Sequence, residues 1–114
     1  MGKFSNVLAV AGAAGMVFLS DPAFARHTVS YESYVTVAAS GTVIYVTDDK
    51  CDNQAVKGKW KYEARSSAPM HSKNNSSGCR TTTSMTTDAM IHGIQACVVQ
   101  DWQPDDCSTW IYWE

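Results

Sequence analysis

Between residues 55 and 65 the chain reads AVKGKWKYEAR and alternates without a break. Val56, Gly58, Trp60, Tyr62 and Ala64 are apolar or small, while Lys57, Lys59, Lys61, Glu63 and Arg65 between them are charged. A period of two sends one set to each side of a pleated strand, whereas a helix would scatter both sets around its circumference. The stretch therefore demands a sheet with a dry face and a wet face. It predicts Trp60 in the core and Lys59 in solvent.

The remainder of the chain agrees with that class. TVSYESYVTVA (28–38) alternates in the same way, Ser40-Gly41 offers a tight turn, and TVIYVT (42–47) runs back rich in β-branched residues, which together read as a hairpin. DDKCDN (48–53) is a turn cluster, and SSAPMHSKNNSSG (66–78) reads as a long polar loop. CRTTTSMTT (79–87), MIHGIQACVVQ (90–100) and TWIYW (109–113) read as strands, with Gly93 marking a bulge or a close contact and DWQPDDCS (101–108) a turn-rich loop. About six short strands without an amphipathic helix predict an all-β fold, a small antiparallel β-sandwich or barrel.

The first 25 residues stand apart. A basic start (MGK), an apolar run of 13 residues (7–19) and DPAFA, ending small-x-small, have the layout of a secretory signal peptide cleaved before Arg26. The run is shorter than the roughly 18 to 20 residues that span a bilayer. The expected organisation is a signal peptide over 1–25, an N-terminal arm or first-strand extension over 26–34, and a single β domain over 35–114. Removing Lys3 and Asp21 leaves the net charge at −2, which gives no overall attraction to nucleic acid or to an anionic membrane.

All four cysteines, Cys51, Cys79, Cys97 and Cys107, follow that leader. An even number in an exported chain predicts two disulfides and an extracellular location. Three connectivities are open. Cys51–Cys79 with Cys97–Cys107 is favoured, because the second pair closes a short loop between strand-like runs. No C-x-x-C spacing offers a zinc site.

VTDDKCDNQAV, SGC, IQACVVQ and DDCSTW resemble the cysteine context and turns of small, mostly uncharacterised secreted proteins of filamentous actinobacteria. The resemblance covers most of residues 43–110 and implies secretion and a disulfide-bonded β fold. It carries no shared activity.

Nothing in the chain spells out catalysis. His27, His71 and His92 lack metal-ligand spacing, DDKCDN lacks the Gly and terminal Glu of an EF-hand loop, and no nucleophile motif or P-loop occurs. Glu32 and Glu63 could pair as a two-carboxylate acid and base, but solvent-facing strand glutamates are far commoner. The expectation is a non-enzymatic module with no cofactor and no metal. Its partner would be another secreted or surface protein, with a glycan as the second choice, and neither nucleic acid nor, after leader cleavage, a membrane.

Three features are candidates for that contact. Lys57, Lys59, Lys61 and Arg65 would share one face at roughly 7 Å intervals and meet an acidic surface or a polyanionic glycan. Tyr31 and Tyr34 lie in the arm, which could add as a strand to a partner. Trp102 and Trp110 belong to an aromatic-rich end with Tyr112 and Trp113, and the alternation there leaves at least one Trp outside the core. Size, export and arm resemble the adaptor subunits of secreted actinobacterial toxin particles. The leading expectation is accordingly a secreted protein-binding adaptor. The alternative is a protease inhibitor, since Pro69-Met70-His71 resembles in outline the Pro-Met loop of bacterial subtilisin inhibitors. A carbohydrate-binding module using Trp102, Trp110 or Trp113 is third.

Overall fold

A computed structural model describes residues 27–114. The expected leader and Arg26 lie outside the described residues. The fold is all-β, with nine strands in two antiparallel sheets and no helix among the described residues. The first sheet holds β1 (His27–Tyr31), β2 (Val35–Ser40), β3 (Val43–Asp48) and β6 (Thr82–Thr86) in the order β1-β2-β3-β6. The second holds β4 (Val56–Lys61), β5 (His71–Asn75), β7 (Gly93–Val98) and β8 (Asp106–Cys107) in the order β5-β4-β7-β8, with β9 (Ile111–Tyr112) also pairing β7.

The sheets face one another across Val35, Val37, Ile44, Val46, Ile94 and Ala96, each fully buried. Val56 and Trp60 project into the same layer from β4, as their alternation predicts. Gly58, between them, is required by close approach: a Cβ there would lie 2.6 Å from Cγ2 of Val46 and 3.2 Å from Val37. Both favoured disulfides are present. Cys51–Cys79 ties the turn after β3 to the turn before β6, and Cys97–Cys107 joins directly opposed residues of β7 and β8. Such cross-links are the mark of an oxidising compartment.

Nine strands replace the expected six for three physical reasons. The run 28–38 is not one strand but a hairpin: Glu32 adopts φ 50° and the Tyr34 N–H donates to Tyr31 O at 3.0 Å. Three residues separate Tyr31 from Val35, so odd-numbered positions face the core on both sides of the turn and the alternation reads straight through it. The polar run 66–78 is not all loop, because β5 lies inside it. That strand is an edge held by a polar anchor: buried Asn75 donates from Nδ2 to Val46 O at 3.0 Å and Thr81 O at 2.9 Å. The third is β8, too short at two residues for any periodicity.

The N-terminal arm is likewise no free extension. His27–Tyr31 pairs along its whole length with β2, from His27 opposite Ala39 to Tyr31 opposite Val35.

Candidate binding surfaces

The lysine row has a different fate at each position. Lys57, Lys59 and Lys61 do share the outer face of β4, because Val56, Gly58 and Trp60 take the inner one. Lys57 Nζ, however, is held by Asp105 Oδ2 at 2.8 Å, from the loop before β8. Lys59 is half-buried and makes no ion pair among the described residues. Lys61 is only 3% exposed.

Lys61 overturns the expectation of a continuous wet row. Its ammonium donates to Ser66 O at 2.9 Å and to the Tyr112 hydroxyl at 3.0 Å, and it sits 4.3 Å from the centre of the Trp110 ring. The cover comes from β9. Lys61 opposes Gly93, and Gly93 opposes Tyr112, so the tyrosine ring crosses the gap left by a missing side chain. A Cβ on Gly93 would lie 2.7 Å from Cδ1 of Tyr112, which is the close contact that Gly93 predicts. Alternation had placed Lys61 on the correct face. It could not reveal that a strand 50 residues later lies over that face.

Arg65 does not belong to the row. β4 ends at Lys61, and Arg65 bends back in the following turn to pair with Glu63 at the surface.

Trp110 and Tyr112 stack with ring centres 5.9 Å apart and planes 10° from parallel. On the opposite face, Ile111 and Trp113 pack against the core, and Trp113 stacks on His27 at 3.7 Å. The aromatic-rich terminus thus divides between a core side and a lysine-capped outer side. Trp102 belongs to neither. It is fully exposed, with φ 65°, at the crest of the loop that Cys97–Cys107 and the Lys57–Asp105 ion pair pin at its base.

The arm tyrosines are half-buried and engaged. Tyr31 packs against the core edge and Tyr34 stacks on it at 6.3 Å, with Lys50 Nζ 4.4 Å from the Tyr34 ring centre. A hydrogen bond to Asp106 of the other sheet, reinforced by partial desolvation and by that carboxylate's charge, pushes the Tyr31 pKa up to about 12. A raised folded-state pKa stabilises the fold below the unfolded value near 10, and the contribution disappears as pH climbs through about 12. Wild type should therefore exceed Tyr31→Phe in urea midpoint at pH 9, and that advantage should vanish by pH 12. A pH-independent difference would contradict the bond.

Of the Pro69-Met70-His71 segment, only the first two residues are loop. His71 begins β5 opposite Trp60 and stacks on Tyr62 at 4.7 Å. Met70 is 58% exposed, between that strand and the buried Ala68.

A cavity of about 370 Å³ opens beside Cys51–Cys79, lined among others by Asp48, Asp52, Gln54 and Ser76. Sequence reasoning saw only turn residues there, because the depression forms where two turns distant in sequence are cross-linked. Asp48 is buried at its edge and accepts a hydrogen bond from the Lys50 N–H at 3.2 Å. Burial pushes its pKa up, aided by Asp52 and Asp49 and opposed by that hydrogen bond. No three acidic, histidine or cysteine side chains are placed to hold a metal among the described residues. Comparison with protein-family models, curated proteins and solved structures finds no match for this chain.

Proposed function

We propose that the chain is a secreted, non-enzymatic protein-binding module, an adaptor within an extracellular assembly of toxin type. The exposed Trp102 carries this reading. A fully solvated indole forgoes roughly 1.5 to 3 kcal/mol of burial, and a disulfide-pinned loop presents it with little ordering left to do on binding. Preorganised tryptophans are the commonest anchors of protein interfaces. Asp101 lies exposed beside it on the same loop, so the fitting partner has an apolar pocket with a basic group at its rim. The leader layout and the two disulfides support secretion, and small size with export supports the adaptor role. The three histidines are engaged in packing: His27 on Trp113, His71 on Trp60 and Tyr62, and His92 through Nδ1 to Trp113 O.

The test is capture from culture supernatant on the immobilised chain. Trp102→Ala should lose at least about tenfold in capture with unchanged melting, since the side chain touches no core. Undiminished capture would overturn the reading. A second reading, inhibition of a subtilisin-type protease, is favoured by Met70, exposed between a buried residue and a paired strand. It requires stoichiometric, slowly released inhibition, and rapid cleavage after Met70 would remove it.

A further inference from the structure

A two-sheet sandwich leaves four sheet margins, each a row of backbone groups able to recruit another strand unless something defends it. Three margins of this protein are defended, each by a different device. The β1 margin faces the second sheet at close quarters: His27 stacks on Trp113, and Val29 and Tyr31 pack against the core shared by the two sheets. The β8 and β9 margin consists of strands only two residues long. The β5 margin carries Lys73, half-buried opposite Gly58 and therefore on the inward side, where a charge discourages a further strand.

The β6 margin has none of these. Its sequence is Thr82-Thr83-Ser84-Met85-Thr86, without a charge, proline or glycine, and Thr82, Ser84 and Thr86 are exposed. The ladder also shows which backbone groups are open. Thr87 N donates to Thr42 O and Asp48 N to Thr81 O. Hydrogen-bonded positions alternate along an antiparallel pair, so residues 83 and 85 are the ones bonded towards β3. Thr82, Ser84 and Thr86 consequently direct their N–H and C=O groups outwards, away from the sheet.

We propose that this margin pairs with its counterpart in a second copy of the chain, making a two-fold dimer in which the four-stranded sheets join into one. The strand is self-complementary. Antiparallel pairing centred on Ser84 sets Ser84 against Ser84 with two reciprocal N–H to O=C bonds, and Thr82 against Thr86 on either side. No like charges meet. Cross-strand hydroxyl pairing of this kind is already used within the sheet, between Thr47 and Thr82 at 2.8 Å and between Ser30 and Thr36 at 3.2 Å. An isologous contact also closes on itself, so an uncharged edge produces a dimer and not a filament. The Trp102 loop lies beyond β7, outside this edge, so each dimer would offer two such loops. The inference does not depend on what Trp102 binds.

Five residues make a small interface, so the dimer should be concentration-dependent, and sedimentation velocity on the purified protein up to about 1 mM is the appropriate measurement. Wild type should shift towards twice the monomer mass. Ser84→Pro deletes the central outward N–H and leaves the β3 ladder intact, and it should remain monomeric throughout. Ser84→Lys keeps that N–H but sets two ammonium groups against each other at the two-fold axis, and should weaken association at least tenfold. The second variant covers the case in which proline disturbs folding. A wild-type protein that stays monomeric overturns the proposal, and so does a dimer that survives both substitutions.

Discussion

Lys61→Glu should cost about 3 to 5 kcal/mol in urea unfolding. The side chain is 3% exposed, and each group around it suits a cation. A carbonyl oxygen and a hydroxyl oxygen receive its protons, and the electron-rich face of Trp110 lies 4.3 Å away. A carboxylate in that place would face the Ser66 carbonyl with no proton to offer and would be repelled by the ring. Lys61→Met separates charge from packing. It keeps the aliphatic stem against Trp110 and removes only two hydrogen bonds, whose partners lie on exposed residues that water can reach. Its cost should stay near 1 kcal/mol. If Lys61→Glu falls within about 0.5 kcal/mol of wild type, the lysine lives in water and β9 does not cover it. The functional consequence is direct. A charge-reversal probe of partner binding on β4 must use Lys59 and leave Lys57 and Lys61 in place, since otherwise lost association would report only a released Trp102 loop or a damaged fold.

The contrast between Lys59 and Lys61 shows what a sequence of this kind discloses. Alternation depends only on the pleat, so it assigned faces correctly along β4 and identified Val56 and Trp60 as core. Cysteine number and spacing led to the favoured pairing, because Cys97 and Cys107 flank a short turn. What remained hidden depends on contacts between distant segments. The cover over Lys61 comes from Trp110 and Tyr112, and the cavity by Asp48 exists because Cys51 meets Cys79. The turn at Glu32 was concealed by parity, since three intervening residues preserve the alternation. β5 was concealed by its composition: a strand held at one edge through a buried Asn75 needs no hydrophobic rhythm. Alternation leaves open which of Trp102, Trp110 and Trp113 is exposed, because the complete exposure of Trp102 follows from the loop conformation alone.

Trp60→Ala should destabilise by about 3 to 5 kcal/mol, while Lys59→Ala next to it stays within about 0.5. Trp60 is the largest side chain that β4 sends between the sheets, 3% exposed, and its truncation would leave a cavity among buried neighbours. Its environment also has a flaw that makes Trp60→Phe informative. The indole Nε1 is buried and has no hydrogen-bond partner, which leaves a desolvated donor inside the fold. Phenylalanine removes that donor together with part of the ring, so the two changes oppose each other. Trp60→Phe should consequently cost about 1 kcal/mol, far less than the alanine variant. Urea midpoints for the three variants provide the comparison. Equal losses for Trp60→Ala and Lys59→Ala would mean that the faces of β4 are assigned wrongly. The effect also reaches the surface, because His71 stacks on Trp60 at 5.8 Å and opens β5 immediately after Met70. Loss of the indole should free that end of β5, and Trp60→Ala should be cut by protease near Met70 faster than Trp60→Phe under conditions where both remain folded.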